Sequence, residues 1–178
     1  MKITVFGGSL PQPDSQAYQD AYTLGNKLAS SQHVVMTGGY IGTMEAVSKG
    51  ASDAGGHVIG ITCEEIENWR PVKANRWVKE EIHCKTLMDR LDRLVRTCDA
   101  ALALPGGPGT LAEISLTWNL MIIRAIPPKP LLLIGEEWHS VMDQLFNSLG
   151  EYIPRTQQEL ILFAHDEAKA IDLINFWK

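Results

Sequence analysis

The stretch from Ala100 to Thr110, AALALPGGPGT, decides the fold. Its first half, Ala100–Leu104, is apolar at every position. A strand with no polar alternation suits a parallel sheet covered on both faces. Its second half, Pro105-Gly106-Gly107-Pro108-Gly109-Thr110, ends that strand and opens a helix over 109–124.

The same alternation extends in both directions. Strand-like runs lie at Lys2–Phe6, Val34–Thr37, His57–Thr62, Pro130–Ile134 and Glu159–Phe163. Helical patterns cover 15–30, 41–54, 86–98, 137–149 and 166–177. Strands alternating with helices predict βαβ units. The expected fold is α/β: a Rossmann-like, doubly wound parallel sheet of six to seven strands with helices on both faces. Segment 63–82, with Trp69 and Trp77, has no clean period and reads as a loop or short helix able to cover a site. No repeat or linker divides the chain, so 1–178 reads as a single domain.

Composition narrows the function. Sixteen basic residues stand against 21 acidic, a formal charge of −5, which argues against a nucleic-acid partner. The longest apolar runs, such as Leu131–Ile134, are strand-length and do not span a membrane. The N-terminus enters a strand directly and lacks the pattern of a signal peptide. Cys63, Cys84 and Cys98 form no CxxC pair and read as reduced core residues of a cytoplasmic protein. His33, His57, His83, His139 and His165 show no HxxxH or HExxH spacing, so no metal site is expected.

Three strand ends carry glycines: Gly7-Gly8-Ser9, Gly38-Gly39-Tyr40-Ile41-Gly42-Thr43 and the PGGPGT turn. Ligands of open α/β sheets bind at carboxyl strand ends, where strand order reverses. Glycines admit close approach of a ligand to the backbone, and the free N–H groups of the next helix attract phosphate. The plain alternative is a tight turn that needs glycine for geometry alone. No turn has the GxGxxG spacing of a dinucleotide site, and no GxxxxGK[ST] loop occurs. The turns point to a mononucleotide or similar phosphate ester.

Two helices bring side chains towards these turns. In 86–98 the apolar stripe is Leu87, Leu91, Leu94, Val95 and Cys98, with Arg90 at one border and Met88 at the other. On helical geometry alone, Arg90 reads as a surface arginine snorkelling along the core edge. The helix 109–124 is apolar on two sides. One stripe is Leu111, Ile114, Trp118, Met121 and Ile122; the other is Leu116, Leu120 and Ile123. A second buried face predicts a two-fold homodimer through this helix. Glu113, taken alone, is an ordinary first-turn glutamate favoured by the helix dipole.

Taken together, these residues resemble the LOG ("lonely guy") proteins, often labelled possible lysine decarboxylases. LPGGPGTLAE fits their PGGxGTxxE motif, TGGYIGTMEAVSKGA resembles GGGxxGxMG with its helix, and MDRLDRLVRTCDAALALPGG is similar to their MxxRK helix and following strand. The resemblance implies a Rossmann-like homodimer that splits a nucleoside 5′-monophosphate, of purine or cytokinin type, into free base and ribose 5-phosphate. It implies a catalytic pair at Arg90 and Glu113. It places the nucleotide at Gly8, Ser9, Gly38, Gly39, Gly42, Thr43, Met88, Gly106, Gly107, Gly109 and Thr110. It requires neither metal nor organic cofactor. Leu91 replaces the motif lysine, Thr37 and Glu45 replace motif glycines, and Ala112 precedes the glutamate. These departures mark a divergent branch, and related branches include molybdenum-cofactor carriers that bind without turnover. The decarboxylase label fits poorly: it calls for pyridoxal phosphate on a lysine, and Lys27, Lys49, Lys73, Lys79, Lys85 and Lys129 show no pocket context.

Overall fold

A computed structural model describes residues 1–177. Seven strands form one all-parallel sheet: β1 (Lys2–Phe6), β2 (Val34–Thr37), β3 (Val58–Cys63), β4 (Glu80–Cys84), β5 (Ala100–Ala103), β6 (Leu131–Ile134) and β7 (Leu162–Ala164). Their spatial order is β4-β3-β2-β1-β5-β6-β7. The chain therefore builds outward from β1 to β4, crosses back to β5, and continues the other way. The reversal falls between β1 and β5, whose carboxyl ends carry Gly7-Gly8-Ser9 and Pro105-Gly106-Gly107.

Strand alternation divides the core into two layers. Ile3, Val5, Val35, Leu102 and Leu132 pack against α1 (Gln16–Ser30), α2 (Thr43–Asp53) and α8 (Glu167–Phe176). Phe6, Met36, Ile61, Ala101, Ala103 and Leu133 pack against α4 (Leu87–Arg96), α5 (Pro108–Ile122) and α6 (Glu136–Leu149). Two short helices complete the chain: α3 (Glu64–Trp69) and α7 (Arg155–Gln158). No helix among the described residues is long and apolar enough to cross a membrane.

Two expectations need correction. Segment 63–82 holds the short helix α3, but its end is β4, a strand that periodicity did not reveal. β4 is an edge strand, and Glu80, Glu81 and His83 are exposed, so it has no apolar alternation to read. The last strand is Leu162–Ala164, not Glu159–Phe163: α7 and its turn run into residues 159–160.

The stripe of α5 is also rotated from its expected position. Its buried residues are Thr110, Glu113, Ile114, Thr117, Leu120 and Met121. Leu111, of the expected core stripe, is 44% exposed, while Leu120, of the expected interface stripe, is buried. The core-facing side includes three polar residues, which a count of apolar positions skips.

Candidate active site

The three glycine turns pack on one another at the switch point. The N–H of Gly8 donates to the carbonyl of Pro105 at 3.2 Å, and that of Thr43 to the carbonyl of Gly8 at 2.9 Å. Gly42 lies at φ +71°, and a Cβ there would stand 2.6 Å from the carbonyl carbon of Ser9. Only glycine fits both constraints. A Cβ on Gly106 would collide with the Thr110 hydroxyl, which is buried beneath it.

Gly107 and Gly109 differ. A Cβ on either would meet nothing within 4 Å, and Gly107 has an ordinary φ of −94°. Neither internal packing nor backbone geometry calls for glycine at 107. The N-terminus of α5 has no side-chain cap, and Pro108 carries no N–H. The amides of Gly109 and Thr110 precede the first helical bond, which runs from Leu111 to Gly107. This is an uncapped, open helix start suited to an anion.

Arg90 and Glu113 meet beneath these turns. Arg90 is 6% exposed and Glu113 7%. Arg90 does not snorkel. Its Nε donates to the carbonyl of Ile61 at 2.8 Å, and its Nη2 donates to the carbonyl of Gly38 at 3.4 Å. A side chain on Gly38 would occupy the position of that guanidinium. Arg90 Nη1 lies 3.8 Å from Glu113 Oε1, an ion pair longer than a hydrogen bond. Among the described residues, the Glu113 carboxylate accepts no hydrogen bond. Burial pushes its pKa up to about 7, while the Arg90 charge pulls the other way.

The remaining expected site residues divide. Gly38 and Gly39 frame Arg90 and the turn below Tyr40, while Thr43 caps the Gly8 carbonyl. Ser9 backs Gly42. Met88, in the first turn of α4, is 66% exposed. Two cavities, of about 430 and 450 Å³, flank the region. The second runs past Thr43 and Pro105 to the acidic residues Asp20, Glu136 and Glu167. Neither is lined by Arg90 or Glu113.

Two features were not foreseen. Tyr40, which the glycine motif leaves variable, is fully buried against Arg90, with the guanidinium carbon 5.7 Å from its ring centre. Asn75 clamps the same turn, its Nδ2 donating to the carbonyls of Gly39 at 3.0 Å and Tyr40 at 2.9 Å. The bulk of Tyr40 inside a glycine turn was the available signal; Asn75 offered none. The fold also gathers His83, Glu67 and Glu81, but Lys73 already neutralises Glu67. Lys129, the one buried lysine among the described residues, binds the carbonyls of Val95 and Cys98 behind α4. It has no free amine for a Schiff base.

Comparison with known proteins gives this geometry a context. Residues 1–153 match the model of the SLOG cluster4 family. The chain belongs to the SLOG cluster4 family. A cytokinin riboside 5′-monophosphate phosphoribohydrolase of Arabidopsis thaliana is 35% identical over 163 residues, 89% of this chain and 70% of the relative. A second Arabidopsis enzyme of that name is 34% identical over the same shares. Among solved structures, the molybdenum cofactor binding protein of Rippkaea orientalis superposes with a TM-score of 0.77. It is 27% identical, covering 98% of this chain and 96% of that one. The molybdenum cofactor carrier protein of Chlamydomonas reinhardtii gives 0.72 at 25% identity, covering 98% and 97%.

Proposed function

We propose that this SLOG protein is a phosphoribohydrolase that cleaves a purine or cytokinin-type nucleoside 5′-monophosphate into free base and ribose 5-phosphate. The observation that carries the reading is the Glu113 carboxylate. It is buried, faces one arginine at 3.8 Å and sits one helical turn from the open start of α5. Burying such a group without a hydrogen bond costs stability, and a catalytic task accounts for keeping it.

The reaction follows from the parts. The 5′-phosphate rests on the amides of the PGGPGT turn, so binding energy away from the scissile bond positions C1′. Positive charge grows on the ribose ring as the bond to the base lengthens. The Glu113 carboxylate stabilises that charge and takes a proton from the water that attacks C1′. The bonding pair of the glycosidic bond leaves with the base, which is protonated in turn. A carboxyl titrating near 7 is matched to accepting and releasing a proton at neutral pH. Arg90 is always cationic and serves as a fixed orienting group for Glu113 and the ribose or phosphate oxygens.

A second reading has its own support. Solved structures similar in fold include a molybdenum cofactor binding protein and a molybdenum cofactor carrier protein, which supports a carrier of a phosphorylated ligand. Incubation with AMP and other nucleoside monophosphates separates the two. Release of free base supports the hydrolase; ligand-induced thermal stabilisation with no base released supports the carrier. The exposed Leu111 of α5 and Ile123 at its C-terminal cap fit a homodimer interface, which sedimentation equilibrium of Ile123→Glu against the parent chain tests. Buried free thiols at Cys63, Cys84 and Cys98 fit a reducing cytoplasm.

A further inference from the structure

We propose that Tyr40 is the positioning residue of the site: its ring holds the Arg90 guanidinium towards Glu113, and its hydroxyl fixes that ring to strand β3. The inference rests on the hydrolase reading for its kinetic consequence and on geometry alone for the rest.

Tyr40 is 1% exposed although it stands in a glycine turn. Its hydroxyl accepts the N–H of Cys63 at 2.7 Å and donates to the carbonyl of the same residue at 3.1 Å. Cys63 closes β3. Two residues earlier on that strand, Ile61 supplies the carbonyl that anchors Arg90 Nε. One strand therefore anchors both the ring and the guanidinium that rests on it.

The two backbone bonds of Arg90 hold Nε and Nη2, which leaves tilt of the plane about the line between them as the motion that carries Nη1 towards or away from Glu113. The guanidinium is planar, so a ring against one side limits its tilt. Asn75 grips the Gly39 and Tyr40 carbonyls from the 70–79 segment, so the turn cannot carry the ring away. The groups facing Tyr40 are Cys63 from β3, Glu67 from α3 at 3.5 Å, and Arg90 from α4. Nothing in the spacing of the glycine motif demands an aromatic at this position.

The test compares Tyr40→Phe, which keeps the ring, with Tyr40→Leu, which removes ring and hydroxyl. On AMP, Tyr40→Leu is expected to lose at least tenfold in kcat with KM changed less than threefold, and Tyr40→Phe, which keeps the ring but frees it from Cys63, to lose less than Tyr40→Leu. The Glu113 carboxyl, followed by ¹³C NMR and assigned with Glu113→Gln, is expected to titrate higher in Tyr40→Leu only, because Arg90 no longer holds its proton affinity down. If Tyr40→Leu does not fold, Tyr40→Met, whose unbranched flexible side chain adapts to an irregular gap, takes its place. If the parent chain releases no base from any nucleotide, the hydrolase reading fails and the titration decides the role of Tyr40. Identical Glu113 titration in all variants overturns the proposal.

Discussion

Arg90 Nη1 and Glu113 Oε1 stand 3.8 Å apart, both side chains more than nine-tenths buried. Desolvation favours the neutral acid and the guanidinium favours the carboxylate; the first effect wins, leaving Glu113 near pH 7. In the hydrolase reading the ionised form is the active one. The kcat/KM for AMP should therefore rise with pH and level off above about 7. Glu113→Gln should lower kcat by about 10²–10⁴ while phosphate still stabilises the fold. A flat profile between pH 5 and 8 would remove Glu113 from the mechanism.

The same group sets a pH dependence of stability. Folded Glu113 binds its proton more tightly than the unfolded chain, whose carboxyl has the ordinary value of 4.5. Its stabilising contribution is complete below that value and is lost as pH rises through about 7. The loss is on the order of 3 kcal/mol. Urea midpoints should fall between pH 5 and 8 in the parent and fall less in Glu113→Gln. In Arg90→Met the acid loses its counter-charge, so the fall should begin at the same pH, set by the unfolded chain, and run on to higher pH. Equal slopes in the parent and Glu113→Gln would contradict the burial argument.

The layout of the fold was legible because β1, β2, β5 and β6 are apolar on both faces and each ends at a glycine or proline. The glycine turns lie at the carboxyl ends of β1, β2 and β5, and two of these three strands flank the reversal. What could not be read were places where polar residues occupy buried positions. Arg90, Glu113, Thr110 and Thr117 lie on core-facing stripes. A periodicity count discards them and rotates both helices by part of a turn. That is why apolar periodicity places Leu87 and Leu111 on the core stripe although they stand 41% and 44% exposed. β4 escaped for the opposite reason, as an edge strand with exposed charge.

Glycines 42 and 107 separate packing from ligand approach. Alanine at 42 faces a positive φ and the backbone of Ser9, so Gly42→Ala should cost about 1–3 kcal/mol and lower the melting temperature by several degrees. Alanine at 107 meets open space at an ordinary φ, so Gly107→Ala should melt within about 1 °C of the parent. If phosphate lies on that turn, the added methyl should still weaken AMP binding several-fold by calorimetry. Unchanged affinity in a normally folded Gly107→Ala would move the phosphate elsewhere.

Lys129 supports the site from behind. Its ammonium binds the carbonyl of Val95 at 3.0 Å and that of Cys98 where α4 ends, and it complements the negative end of the helix that carries Arg90. Lys129→Met keeps the apolar stem but removes this donor from both carbonyls, of which Val95 keeps only the weak Cys98 thiol donor. Each unsatisfied group costs about 1–3 kcal/mol, offset in part because an ammonium no longer has to be buried. The net expectation is a loss of about 1–3 kcal/mol. The Cys98 thiol, already pushed up by burial and pulled down by Lys129, should then titrate higher and react more slowly with iodoacetamide. A variant as stable as the parent, with unchanged thiol reactivity, would show that Lys129 is not the cap of α4.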